Sequence, residues 1–202
     1  MKKKRQKQTP GTFLFTRTFI LIFVFMFFTT NFHNPFPVSA NSLQKNHTDA
    51  FDAVFVLDTS YSMNHADPNK MANEVIHMFM DMSEASRTRI GFVAYNHQIV
   101  DSKPLTSISV AANKTELKQK IAGLRRSGYT DLGLGLNTGG NLISSKSSEG
   151  EGSGRKPFVI LLSDGETDFG PASRSQRTAA DSAKDVDKAI SKAQKDGYPI
   201  YT

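Results

Sequence analysis

"VFVLDTSYSMN", residues 54–64, runs four apolar residues directly into an aspartate and a cluster of hydroxyls. The apolar run "AVFVL" at 53–57 shows no strict alternation, so it suits a strand covered on both faces, as in a parallel sheet. Its β-branched and aromatic content favours a strand over a short helix. The chain then presents Asp58, Ser60 and Ser62 at alternate positions, and a turning loop leaving the strand would aim three oxygens at one point. A second stretch repeats the design: "PFVILLSDGETD" at 157–168 gives a buried strand over Phe158–Leu162, then a hydroxyl and an aspartate.

Between and around these lie helices and further strands. Residues 69–85, "NKMANEVIHMFMDMSEA", carry apolar residues at helical spacing. Asn69 is the candidate cap, and the methionines at 71, 78, 80 and 82 read as core fillers. "RIGFVAY", 89–95, is a second strand, and "HQIVDSKPL", 97–105, is an edge strand because Pro104 cannot serve a central ladder. Residues 115–124 form a short helix, and 131–144 another in which glycines 133, 135, 139 and 140 mean either close packing or a marginal element. Residues 178–196 form a helix with Ala179, Ala183, Val186, Ala189, Ile190 and Ala193 inward, and "GYPIYT" starts a last strand. "SSKSSEGEGSGRK", 144–156, is a low-complexity surface loop that fails the phosphate-loop spacing. Strands alternating with helices predict a doubly wound, mostly parallel α/β sheet with helices on both faces. Ligands of such folds sit at the carboxyl ends of the strands.

The chain has 202 residues and no cysteine, which excludes disulfides and thiolate metal sites. Its net charge of +6 comes from residues 1–40, which hold six basic residues and no acid. Residues 41–202 carry 19 of each sign, so the basic balance gives no ground for nucleic-acid binding. The leader reads as a signal peptide: a basic start, "FILIFVFMFF" at 19–28, and "PVSAN" with a cut after Ala40. Ten residues of helix reach about 15 Å against a hydrocarbon core of about 30 Å, so membrane contact is expected only through an uncleaved leader. Residues 41–50 follow as a flexible lead-in, and 51–202 as the folded domain.

Three oxygen-rich clusters fall at the carboxyl side of elements: Asp58 to Ser62, Thr130-Asp131, and Ser163 to Glu166. Carboxylate and hydroxyl oxygens suit a hard divalent ion. An isolated Asp-Ser or Asp-Thr pair is most often a cap or Asx turn, and Asp131 is read as a cap for the helix that follows it. Thr59 and Tyr61 are read as loop residues facing the rim, and Glu166 and Asp168 as a solvated face. The five histidines show no zinc-like spacing and read as surface or satisfied residues.

With "DTSYSM", "SGYTDLGLGL" and "LLSDGETD" in these places, the chain resembles the von Willebrand factor A domain family with its metal-ion-dependent adhesion site. The resemblance covers roughly 50–202 and implies Asp58, Ser60, Ser62, Thr130 and Asp164 as the metal set. It implies a divalent cation, Mg²⁺ first, with Mn²⁺ or Ca²⁺ possible. It also implies a protein partner whose acidic side chain completes the coordination. Family members continue beyond this chain's last residue, so the domain is expected to lack its last strands and helix. Apolar surface left open in that way would forgo on the order of 10 kcal/mol. The expected function is a secreted or surface-held binding module without catalysis. Two readings stand beside it: a metal-assisted hydrolase, and an accessory or assembly domain without a working ion site. The hydrolase reading is weakened because a second carboxylate, found in one phosphatase class, is replaced by Ser60.

Overall fold

Five strands assemble in the order β3-β2-β1-β4-β5, with the first-quoted strand at the centre. They are β1 (Ala50–Asp58), β2 (Thr88–Tyr95), β3 (Ile99–Ser107), β4 (Arg155–Leu162) and β5 (Ile200–Tyr201). The structure is a computed structural model, and it describes residues 50–147, 154–165, 167–170 and 176–202. The expected leader, the lead-in, Glu166 and most of the low-complexity loop lie outside the described residues. β1 pairs in parallel with β2 and β4, and β4 with β5, while β3 returns antiparallel to β2. Pro104 lies in that edge strand, where a missing donor costs little.

The helices are α1 (Met63–Ala66), α2 (Met71–Met82), α3 (Ala111–Ala122), α4 (Leu132–Ser147) and α5 (Ala179–Asp196). β1 explains how they divide. Ala53, Phe55 and Leu57 point into one core with Ile76 and Met80 of α2 and Leu117 and Ile121 of α3. Val54 and Val56 point into another with Leu136 and Ile143 of α4 and Ala189 and Ala193 of α5. A strand buried on both faces needs no polar alternation, which is why the run was continuous. The result is a mostly parallel sheet with helices on both faces.

Three expectations are corrected. The cap of α2 is Asp67, not Asn69: its carboxylate accepts from Met71 N at 2.6 Å and Ala72 N at 3.0 Å. Lys70, directly before the helix, takes a left-handed conformation (φ 53°) that brings Asp67 into reach. Of the four methionines in α2, Met80 alone is core; Met71, Met78 and Met82 are 51%, 49% and 57% exposed. Helical spacing fitted two neighbouring stripes, and the sheet selected the one through Ile76 and Met80. In α5 the inward side is Ser182, Val186, Ala189 and Ala193, whereas Ala179, Ala183 and Ile190 face outward.

The glycines of α4 resolve to close packing. A Cβ on Gly133 would lie 2.0 Å from the Ser182 carbonyl oxygen of α5, and one on Gly135 would lie 2.5 Å from the Tyr95 ring. At the opposite end of the sheet, buried Asp52 joins three strands. It accepts from Arg89 of β2 and from Arg155 of β4, each through Nε at 2.7 Å.

Candidate metal centre

The carboxyl ends of β1 and β4 bring the oxygen clusters together. Asp58, the last residue of β1, is fully buried. One of its carboxylate oxygens accepts from Ser60 N at 2.8 Å, closing an Asx-type turn, and the other accepts from Ser163 Oγ at 2.6 Å. The turn swings Ser60 and Ser62 to the same side, with their hydroxyls 2.9 Å apart. Ser62 Oγ donates to Asp164 Oδ1 at 3.1 Å, across 102 residues of chain. Exposure rises along this row, from buried Asp58 and Ser60 to exposed Ser62 and Asp164. Thr130 arrives on the loop before α4 and is fixed by a two-way main-chain bridge to Asp168, at 2.7 and 2.9 Å.

Of these groups Ser62, Thr130, Asp164 and Asp168 border a cleft of ≈ 730 Å³, lined also by Tyr61, His65, Gly128, Tyr129 and Gly165. Its rim is partly aromatic: Tyr61 is 61% exposed and meets His65 edge-on at 5.6 Å. Tyr61 faces the rim as expected. Thr59 does not: it is buried, and both its N–H and its hydroxyl donate to the Tyr95 carbonyl, at 2.7 and 2.8 Å. Asp131 caps α4 through Leu134 N at 3.0 Å and also pairs with Arg177, fully buried itself. That ion pair and the one to Asp185 hold the Arg177 guanidinium above its ordinary pKa. Asp168 is exposed and borders the cleft.

A scaffold that sequence reasoning missed holds the three loops in place. Arg126 donates to the Met63 carbonyl at 2.7 Å and to the Asp67 carboxylate at 2.7 Å, and it also reaches the Asp67 carbonyl. Tyr61 N donates to Gly128 O at 3.0 Å and Ser127 N to Thr59 O at 2.8 Å. Asn96 Nδ2 donates to Ser127 O, and the Asn96 carbonyl accepts from Asp131 N, each at 2.8 Å. Arg126 and Asn96 lie outside the quoted motifs, and each matters through partners far along the chain.

The five residues singled out in the sequence offer two carboxylates and three hydroxyls. Among the described residues, no three His, Asp or Glu side chains stand close enough together to hold a metal by themselves. Ser62, Thr130 and Asp164 of these five face the cleft.

The family model of the von Willebrand factor type A domain matches residues 52–202. No curated protein sequence matches significantly. A von Willebrand factor type A structure from Catenulispora acidiphila superposes with a TM-score of 0.54 at 19% identity, over 75% of this chain and 32% of that one. Proximal thread matrix protein 1 from the mussel byssus gives 0.51 at 20% identity, over 75% and 36%. The pilus adhesin SpaC from Lactobacillus rhamnosus GG gives 0.48 at 19% identity, over 60% and 15%. The chain spans 15–39% of the length of such solved chains. At these identities the likeness is one of fold.

Proposed function

The chain belongs to the von Willebrand factor type A domain family, and from that premise we propose that it is a divalent-cation-dependent protein-binding module of the adhesion type. Asp58, Ser60, Ser62, Thr130 and Asp164 would hold the ion. One observation carries the reading: Ser60 Oγ, Ser62 Oγ and Asp164 Oδ1 stand in a row at 2.9 and 3.1 Å, Asp58 is tied to that row through Ser60 N at 2.8 Å, and the row ends at the mouth of a cleft. The hydroxyl-rich set suits the smaller ions, Mg²⁺ or Mn²⁺, ahead of Ca²⁺. What the ion supplies is positive charge and an open coordination position, suited to a carboxylate from a partner. The chain's own residues orient the ligands: Asp58 is fixed from both sides, and Thr130 is fixed through its main chain.

The partner is a protein that offers an acidic side chain to the cleft, and the module works outside the cell or on its surface. The leader composition supports export. No nucleic acid is involved, and membrane contact would come only through the leader. No catalytic role is proposed, since Ser60 stands where a metal-assisted phosphatase would need a second carboxylate.

The test is retention of the full chain on carboxylate-bearing peptide surfaces in Mg²⁺ or Mn²⁺. Retention lost in chelator, and absent for the same peptides with amide in place of acid, supports the reading. Retention indifferent to both ion and carboxylate overturns it.

A further inference from the structure

Tyr95 ends β2 directly opposite Asp58 in the parallel register. Its ring is fully buried on the α4 side of the sheet, in space left by Gly135. Its hydroxyl is sealed from solvent beside Asp58 and Ser163, yet it makes no hydrogen bond of normal geometry among the described residues. A phenylalanine would fill the same space without burying an unpaired hydroxyl, which is costly. A phenol carries one O–H that can donate. A proton donor thus waits beneath the carboxylate.

Ser163 supplies the means of using it. Its hydroxyl donates to Asp58 Oδ2 at 2.6 Å, and a second acceptor, the Gly165 carbonyl, lies 3.3 Å away. If Ser163 turns to Gly165, Asp58 Oδ2 becomes open to Tyr95. We propose that Tyr95 is a positioning residue for the ion-holding state, its phenol donating to Asp58 and fixing the carboxylate's orientation. This rests on the metal reading above. Groups that hydrogen-bond a ligating carboxylate commonly change metal affinity by 10–100-fold.

The experiment is a calorimetric titration of the full chain with MgCl₂ and MnCl₂, beside Tyr95→Phe and an Ile143→Val control, with metal-free melts of all three. Tyr95→Phe is expected to weaken binding about tenfold while its metal-free midpoint stays at or above the parent's. Ile143→Val, a trimmed core residue in the same packing cluster, should lower the midpoint and leave affinity alone. Equal affinity of Tyr95→Phe and the parent would overturn the assignment and leave the metal reading standing. Weakened affinity with a lowered metal-free midpoint would make Tyr95 merely structural and would also overturn it. A parent chain that takes up neither ion would remove both.

Discussion

At the residue scale, two positions carry forces that can be measured separately. Gly133 meets the Ser182 backbone, and a backbone atom cannot step aside as a side-chain tip can. Gly133→Ala should therefore destabilise the domain by about 1–3 kcal/mol, read as a lower denaturant midpoint. Asp52 is a different case. Burial works against its charge, but the guanidinium groups of Arg89 and Arg155 outweigh that and hold its pKa below the usual carboxylate range. A lowered native pKa means that this stabilisation is complete above about pH 4 and is lost as pH falls through the native value. Asp52→Asn should cost about 1.5–3 kcal/mol at neutral pH, because two half-buried guanidinium groups lose their shared carboxylate. It should also flatten the acid limb of a stability-against-pH curve. An unchanged acid limb would show that Asp52 is not a source of that slope. The proposed ligands were legible at this scale because three of the five share one loop. Tyr95, Asn96 and Arg126 were not, since nothing in their own neighbourhoods marks them out.

At the element scale, the existence and order of strands and helices followed from apolar runs and turn residues. The strand runs at 53–57 and 158–162 were each shorter than the observed strands, because ladder pairing continues past the apolar core residues to Ala50 and Arg155. Helix facing was the weaker part. In α2 two stripes one position apart were both apolar, and periodicity could not choose between them. In α5 an inward serine broke the apolar pattern: Ser182 receives Gly133 N at 2.9 Å and pairs with Thr167 Oγ1 at 2.9 Å. Short alanines let α5 approach α4 closely, so the true contact stripe is small rather than hydrophobic. The α2 assignment gives a direct contrast. Met80→Ala should cost about 2–5 kcal/mol, while Met78→Gln should stay within about 0.5 kcal/mol. Equivalent losses in paired urea melts would mean that the helix is rotated from the orientation described.

At the scale of the whole molecule, the sheet is the device that makes the site. Parallel pairing of β1 with β2 and β4 puts Asp58, Tyr95 and Leu162 at one edge, so loops distant in sequence open onto one cleft. Helices on both faces exclude water from the strands, and Arg126 and Asn96 then lock the loops to one another. The oxygen row is thus held by tertiary structure, and an ion that binds it should bind the folded chain only. The most direct measurement is a thermal melt of the full chain in chelator and in excess Mg²⁺ or Mn²⁺, beside Asp58→Ala. At roughly 100 times the dissociation constant, binding to the native state adds about 2.7 kcal/mol, or roughly 5–10 °C for a domain of this size. The account predicts that rise in the parent and none in Asp58→Ala. A cooperative melt that is the same in chelator and in metal would contradict it.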